Sequence, residues 1–267
     1  MMVAMLNLRK LLLLGLLLAV TSGAVAQVGQ YRSEFAAGVN GGYVLSNVGF
    51  SPRIPQSMLG GKTAGITLRY TCEKYFNSIC AIVAEVNYAQ TGWKERIEDI
   101  NENPVMALDK DEPEAYSRVV DYVQVPVFAR LGWGRERSGF QFFFQIGPQL
   151  GYYLSEKAIA NFDIDHPNAQ DRASKISMPL QNYPDYKGIY HMPIENKLDY
   201  GITGSFGLEF SNRYLGHFLF DARYYFGLGN IYGNTKRDFF GKSNYANIAV
   251  KLSYLFDISK TTNPKIK

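Results

Sequence analysis

The feature that most constrains this chain is a two-residue alternation of apolar and polar side chains, recurring from Phe35 to Phe256. Leu198, Tyr200, Ile202, Phe206, Leu208 and Phe210 share one face of a stretch whose other face carries Asp199, Thr203, Ser205, Gly207 and Glu209. Ile248, Val250, Leu252, Tyr254 and Phe256 alternate in the same way with Asn247, Ala249, Lys251 and Ser253. Phe218, Phe220, Ala222, Tyr224 and Phe226 oppose Asp221, Arg223 and Tyr225. A helix would group its apolar residues at spacings of three and four, whereas successive strand side chains point to opposite faces. The period therefore means strand. Five less strict segments lie near Phe35–Ser46, Gly61–Cys72, Ile79–Trp93, Arg118–Gly132 and Gly139–Leu154, which brings the count to eight. Pro126 and Pro148 fall inside the fourth and fifth, where each removes a ladder donor, so a bulge or local distortion is expected there.

Eight such strands suit a soluble sandwich or a closed barrel in a membrane. The polar faces decide between them. They carry Gly, Ser, Thr, Asn and Gln with isolated charges, rather than the Lys and Glu of a face turned to water. With the apolar face turned out to lipid, the inward set includes Arg69, Glu85, Arg130, Asp199, Glu209, Asp221, Arg223 and Lys251. Four are basic and four acidic, so they can pair across a narrow lumen. Unpaired charges there would cost several kcal/mol each. Closure also satisfies every strand edge in a medium that offers no hydrogen bonds.

Loop lengths argue the same way. The connections after the second, fourth and sixth strands hold about six residues, while the others run from roughly 14 to 42. Short turns on one side and long loops on the other are the habit of transmembrane barrels. The chain is thus expected to be all-β: an eight-stranded antiparallel transmembrane β-barrel with short periplasmic turns, long extracellular loops and both termini in the periplasm. Trp93, Tyr152 and Tyr153 at the outer strand ends, and Trp133, Tyr70 and Phe256 at the inner ones, are expected to form the two aromatic girdles.

The first residues fit export. Arg9 and Lys10 precede an apolar run from Leu11 to Val20, and small residues end in Ala24-Val25-Ala26. That is the layout of a cleaved signal peptide. The run is about ten residues long, short of the roughly 20 that a spanning helix needs. Residues 1–26 are read as the signal peptide and 27–267 as the barrel domain, destined for the cell outer membrane. Gln27, not a Cys, stands directly after the cleavage site, and no later stretch is long and apolar enough for a helical span. A net charge of +4 gives no argument for nucleic acid as a partner.

Several segments also have a family character. Gly38-Val39-Asn40-Gly41-Gly42-Tyr43 leads to Ser46-Asn47-Val48, and Asp121-Tyr122-Val123-Gln124-Val125-Pro126-Val127 opens the fourth strand. Gln145-Ile146-Gly147-Pro148-Gln149-Leu150-Gly151-Tyr152 fills the fifth, and Arg223-Tyr224-Tyr225-Phe226-Gly227-Leu228-Gly229-Asn230-Ile231 closes the seventh. Together they resemble the PorT-like outer-membrane β-barrel family of Bacteroidota, from about Phe35 to Phe256. The resemblance implies a small barrel, one member of which takes part in secretion to the cell surface. It brings no catalytic motif and no cofactor. The chain departs from the family in its long fifth-to-sixth connection and in the tail Asp257–Lys267.

Candidate sites are few. Cys72 and Cys80 flank the first short turn on the outward face, and an oxidising periplasm would allow a disulfide across the hairpin. The alternative is two thiols acting as small apolar residues. Two thiolates without a neighbouring His or Cys do not make a zinc site. His217 sits at a short turn, and His166 and His191 in the longest loop. Asp163-Ile164-Asp165-His166 could place acids beside a base for a surface hydrolase, or be a solvated turn before Pro167. No nucleophile elbow, metal-binding helix pair or phosphate loop is present. Gly201 and Gly207 read as small packing residues in a narrow barrel.

The loop Lys94–Ser117 is acidic, with Glu95, Glu98, Asp99, Glu102, Asp109, Asp111, Glu112 and Glu114. It suits either solvation or cation bridging to lipopolysaccharide. The loop Ser155–Asn196 carries Tyr183, Tyr186 and Tyr190 and suits protein contact. The expected partners are outer-membrane lipid, lipopolysaccharide and other envelope or secretion proteins. Three functions remain in order: an interaction barrel working through its loops, a small pore, and a surface hydrolase. An eight-stranded lumen is only wide enough for its own side chains, which places the pore second.

Overall fold

A computed structural model describes residues 30–259 apart from 76–77, 99–100, 102, 107–111, 136–137, 163–189, 213 and 234–239. The expected signal peptide, His166 and the Asp163–Asp165 acids lie outside the described residues. Eight long strands follow one another: β1 Gln30–Ser51, β2 Leu59–Tyr75, β3 Ser78–Arg96, β4 Ala115–Gly134, β5 Gly139–Ala160, β6 Leu198–Asn212, β7 Gly216–Gly227 and β8 Lys242–Ser259. Each pairs antiparallel with its sequence neighbours, and β1 pairs β8, so the sheet closes into a ring. A two-residue strand, Gln56–Ser57, adds to the far end of β3.

Side-chain direction follows the alternation. On β6, Leu198, Tyr200, Ile202, Phe206 and Leu208 are exposed, while Asp199, Thr203, Ser205 and Glu209 are buried. The same division runs round the ring, with Val39, Ile66, Ile82, Val125, Phe142, Phe220 and Leu252 on the outside. An apolar exterior around a polar interior is stable only where the surroundings are lipid.

The short connections leave two residues between β2 and β3, four between β4 and β5 and three between β6 and β7. Gly216 enters β7 with φ +89°, a left-handed conformation that glycine adopts without a Cβ clash. Asn212 Oδ1 accepts from the amides of Tyr214 and Leu215 in that turn.

The expected distortions at the prolines take another form. Pro148 pairs with Ile202 in unbroken register. At Pro126 the β3–β4 ladder passes from Ala84↔Val127 to Asn87↔Gln124 without changing register. A proline withholds one donor on one side, and the neighbouring rungs hold the alignment. The register shifts occur elsewhere, between Tyr31 and Glu34, Phe35 and Ala36, Thr71 and Glu73, and Asp121 and Tyr122.

The strands also outrun their expected ends. At the long-loop end the polarity of the wall reverses. Inward positions become apolar at Val48, Phe50, Trp93, Tyr116, Val120, Tyr122, Tyr225 and Tyr245. Outward ones become polar at Asn47, Gln90, Lys94, Arg96, Ser117 and Asp121. A strand that leaves lipid for water must turn its apolar residues inward, and the ladder continues across the change.

Candidate functional site

From the short-turn end upward, the lumen is filled in layers. Ala36, Phe143, Leu219 and Leu255 form a small apolar floor. Phe143 reaches the axis because Gly207 faces it: a Cβ on Gly207 would stand 2.6 Å from the Phe143 ring and 2.3 Å from the Phe220 carbonyl. Arg130 stacks on Phe143 with its guanidinium 3.8 Å from the ring centre.

Two ion clusters sit on this floor. Glu209 accepts from Arg69 at 2.8 Å and from Arg130, drawing β2, β4 and β6 together. Glu85 of β3 takes both terminal nitrogens of Arg223 at 2.8 Å each and Lys251 Nζ at 2.9 Å. Asp221 closes on the other side of Arg223. Seven of the eight inward charges therefore lie in these clusters. The eighth, Asp199, stands apart and accepts from Tyr225 Oη at 2.6 Å. A bidentate guanidinium–carboxylate pair keeps a fixed geometry, which suits it to hold strands across an axis.

Above the Arg223 cluster remains a cavity of about 40 Å³ lined by Asn87, Gln124, Gln149, Thr203, Tyr225 and Asn247. It has room for about three waters.

The outer mouth is closed by an apolar core. Phe50, Ile54, Trp93, Tyr116, Tyr122, Tyr190, Ile194, Tyr232, Phe240 and Tyr245 belong to one buried cluster. Arg118 fastens the loops over it. Its Nη1 donates to the Met192 carbonyl and the Tyr232 hydroxyl at 2.6 Å each, and its Nη2 to the Tyr190 carbonyl at 3.1 Å. Trp93 is thus not in an outer girdle. It is 2 % exposed, packs edge-on to Phe50 at 5.3 Å and donates to Glu95 at 2.9 Å. Tyr153 likewise turns inward against Tyr122. Tyr152, Trp133, Tyr70 and Phe256 face outward.

The loop readings change accordingly. Tyr190 is a core residue, not a contact surface, while Tyr183 and Tyr186 lie outside the described residues. Of the acidic loop, Glu95 and Glu114 are buried and Glu98 stands 3.5 Å from Arg96. Burial pushes the Glu95 carboxyl up to about 7, against the pull of Trp93, Arg118 and the Tyr190 hydroxyl.

His217 has a larger part than its turn position suggested. Its Nδ1 lies 2.7 Å from Glu209 and 2.9 Å from Ser211 Oγ, and its Nε2 lies 3.1 Å from Asp257. Serine, histidine and aspartate in line resemble a hydrolase relay. Here Glu209 occupies the nitrogen that would serve Ser211 and also accepts the Ser211 hydroxyl at 3.1 Å, and Ser211 is 2 % exposed. The arrangement is a clamp between β6 and the end of β8. No sequence period marks it, since it joins residues 40 apart.

Cys72 and Cys80 remain thiols in the structure, both half-buried. The register shift at Cys72 sets Glu73, not Cys72, opposite Cys80. Among the described residues no group of three His, Cys, Asp or Glu could hold a metal ion.

A closed ring with an apolar belt and a charged, filled lumen is matched in sequence by a known family over residues 25–233. The chain belongs to the outer membrane protein beta-barrel domain family. It is a protein of the cell outer membrane, with its short turns in the periplasm and its long loops outside. The match takes in β1 to β7 and ends before β8. No curated protein matches the chain in sequence.

Solved structures similar to it include Neisserial surface protein A, at 9% identity with a TM-score of 0.38, covering 83% of this chain and 97% of that one. OprG from Pseudomonas aeruginosa is 12% identical with a TM-score of 0.35, covering 85% and 98%. Ail of Yersinia pestis is 13% identical with a TM-score of 0.32, covering 84% and 99%. These likenesses are remote, and the placement in the outer membrane follows from the family.

Proposed function

We propose that this barrel is a non-enzymatic interaction protein, accessory to protein export or surface assembly, the role that its resemblance to the PorT-like barrels of Bacteroidota implies. The observation that carries the reading is the filling of the lumen. Two ion clusters, an apolar floor and an aromatic cap occupy its length. A route for solute would have to break buried ion pairs and then an apolar core, so the small-pore reading ranks below it. Contact is left to the outer loops and the periplasmic turns.

Two measurements test this. Mature protein in planar bilayers should give negligible steady conductance, and large lasting openings would reverse the order of readings. Photo-crosslinkers placed at Glu112, His191 and Tyr214 in intact cells should capture envelope or secretion proteins. These positions are exposed in two outer loops and one periplasmic turn. Capture of lipid alone at all three sinks the accessory role.

A further inference from the structure

At and above the outer edge of the apolar belt, the outside of the wall is predominantly cationic. Lys62 of β2, Lys94 and Arg96 of β3, Lys157 of β5 and Lys242 of β8 are exposed there. Lys62 stands beside Tyr43 and Lys157 beside Val119, at the edge of the belt. Lys94 stands beside Ser117, about 7 Å beyond Val119 along β4, and Lys242 beside Ser51, about 27 Å beyond Tyr43 along β1.

Among the described strand residues one carboxylate shares this outer face, Asp121 of β4, and it is engaged. It accepts from the Tyr88 hydroxyl at 2.7 Å, Ser155 Oγ at 2.9 Å and Gln90 Nε2 at 3.3 Å. Arg96 has Glu98 at 3.5 Å and is still 59 % exposed. Among the described residues the outward strand positions of the periplasmic rim include Trp133, Phe140, Phe218, Tyr254 and Phe256, with Arg135 exposed in the β4–β5 turn.

We infer that this belt of cations is a docking surface for phosphate-bearing lipid headgroups of the outer leaflet. A lysine on a membrane wall lays its methylenes along the apolar surface and lifts its ammonium to headgroup level. There it meets phosphate as a compact point charge. Four of the eight strands present such a group, so anionic headgroups can be held at several points round the wall while the side chains stay mobile. The inference rests on the outer-membrane placement and is independent of whether the lumen conducts.

The test uses the full mature chain in phosphatidylcholine vesicles with a trace of spin-labelled phosphatidic acid or spin-labelled phosphatidylcholine. The fraction of label immobilised at the protein surface is read by electron paramagnetic resonance. The wild type should hold phosphatidic acid at least threefold over phosphatidylcholine, and raised salt should lower that ratio. The quadruple variant K62S/K94S/K157S/K242S should bring it near one, whereas the Lys→Arg set at the same positions keeps it. A ratio near one in the wild type, or an unchanged ratio in the serine variant, overturns the inference. Folding is checked by gel mobility with and without heating. If the quadruple variant does not fold, the doubles K62S/K157S and K94S/K242S are read by the same criterion, each expected to lower the ratio at least twofold.

Discussion

The lipid-facing belt and the part of the barrel above it share strands but obey opposite rules. On β3, Ile82, Val86 and Tyr88 face out while Glu85 and Asn87 face in; a few residues on, Lys94 and Arg96 face out and Trp93 faces in. β4 inverts in the same way, from outward Val125 and Val127 to inward Tyr122, Val120 and Tyr116. Pairing continues through the change, with one register shift between Asp121 and Tyr122 where β4 meets β5, because backbone pairing is needed in both media. What changes is the source of stability. In the belt the apolar exterior partitions into lipid, and the interior can be polar provided its charges pair. Above it water surrounds the wall, so burial must come from inside, at roughly 1.5–3 kcal/mol for each large side chain taken out of water. The outer segment is in effect a small water-soluble barrel built on a membrane one.

The largest effect expected from breaking this comparison is in the belt. Glu209→Ala leaves Arg69 and Arg130 in the lumen without their shared carboxylate and unfastens His217. Removing one partner of a buried ion cluster costs about 3–5 kcal/mol. The loss should appear in the urea midpoint of the whole barrel in vesicles. Trp93→Ala empties the aromatic core at about the same nominal cost. Its effect should stay local, as faster amide exchange in Phe50, Tyr116–Tyr122 and Tyr190–Ile194 with the belt still protected. Equal loss of protection in belt and outer segment for Trp93→Ala would show one cooperative unit and end the distinction.

The belt was legible in the sequence because its period is strict. Leu198 to Phe210 needs only the rule that apolar residues face lipid, and it sets eight strands, their order and the inward charges. The outer segment was not legible, because the same rule applied there gives the wrong face. Trp93 continues the spacing of a strand and was assigned to a girdle, whereas water on the outside turns it in. Tyr190 and Phe240 enter that core from loops, with no period to mark them, and Arg118 reads as an ordinary strand residue until three loop acceptors stand around it. The Glu85–Arg223 pair spans 138 residues. Composition could require that such charges pair, but only closure of the ring decides which ones do.

The smallest expected effect is a pH dependence confined to the outer segment. Burial lifts Glu95 from an ordinary value of 4.5 to about 7. The groups facing it are Trp93 on its own strand, Arg118 and Tyr116 on β4, and Tyr190 from the loop. The folded segment thus binds the Glu95 proton more tightly than the unfolded one, and the acid is better buried neutral. Its contribution is complete below about pH 4.5 and is lost as the pH rises through about 7. The difference amounts to about 3 kcal/mol. Amide protection over Phe50, Tyr116–Tyr122 and Tyr190–Ile194, compared at pH 5 and pH 8 and corrected for intrinsic exchange, should be the greater at pH 5. Belt amides serve as the reference. Glu95→Gln, which keeps the shape and the acceptor for Trp93 but does not ionise, should remove the dependence and hold protection at its pH 5 level. Greater protection at pH 8 would mean that Arg118 holds Glu95 as a carboxylate, and a slope that survives the glutamine would assign the dependence to another group. In the first case the outer core would be fastened by an ion pair like those of the lumen, and the contrast between the two regions would narrow to their side-chain size.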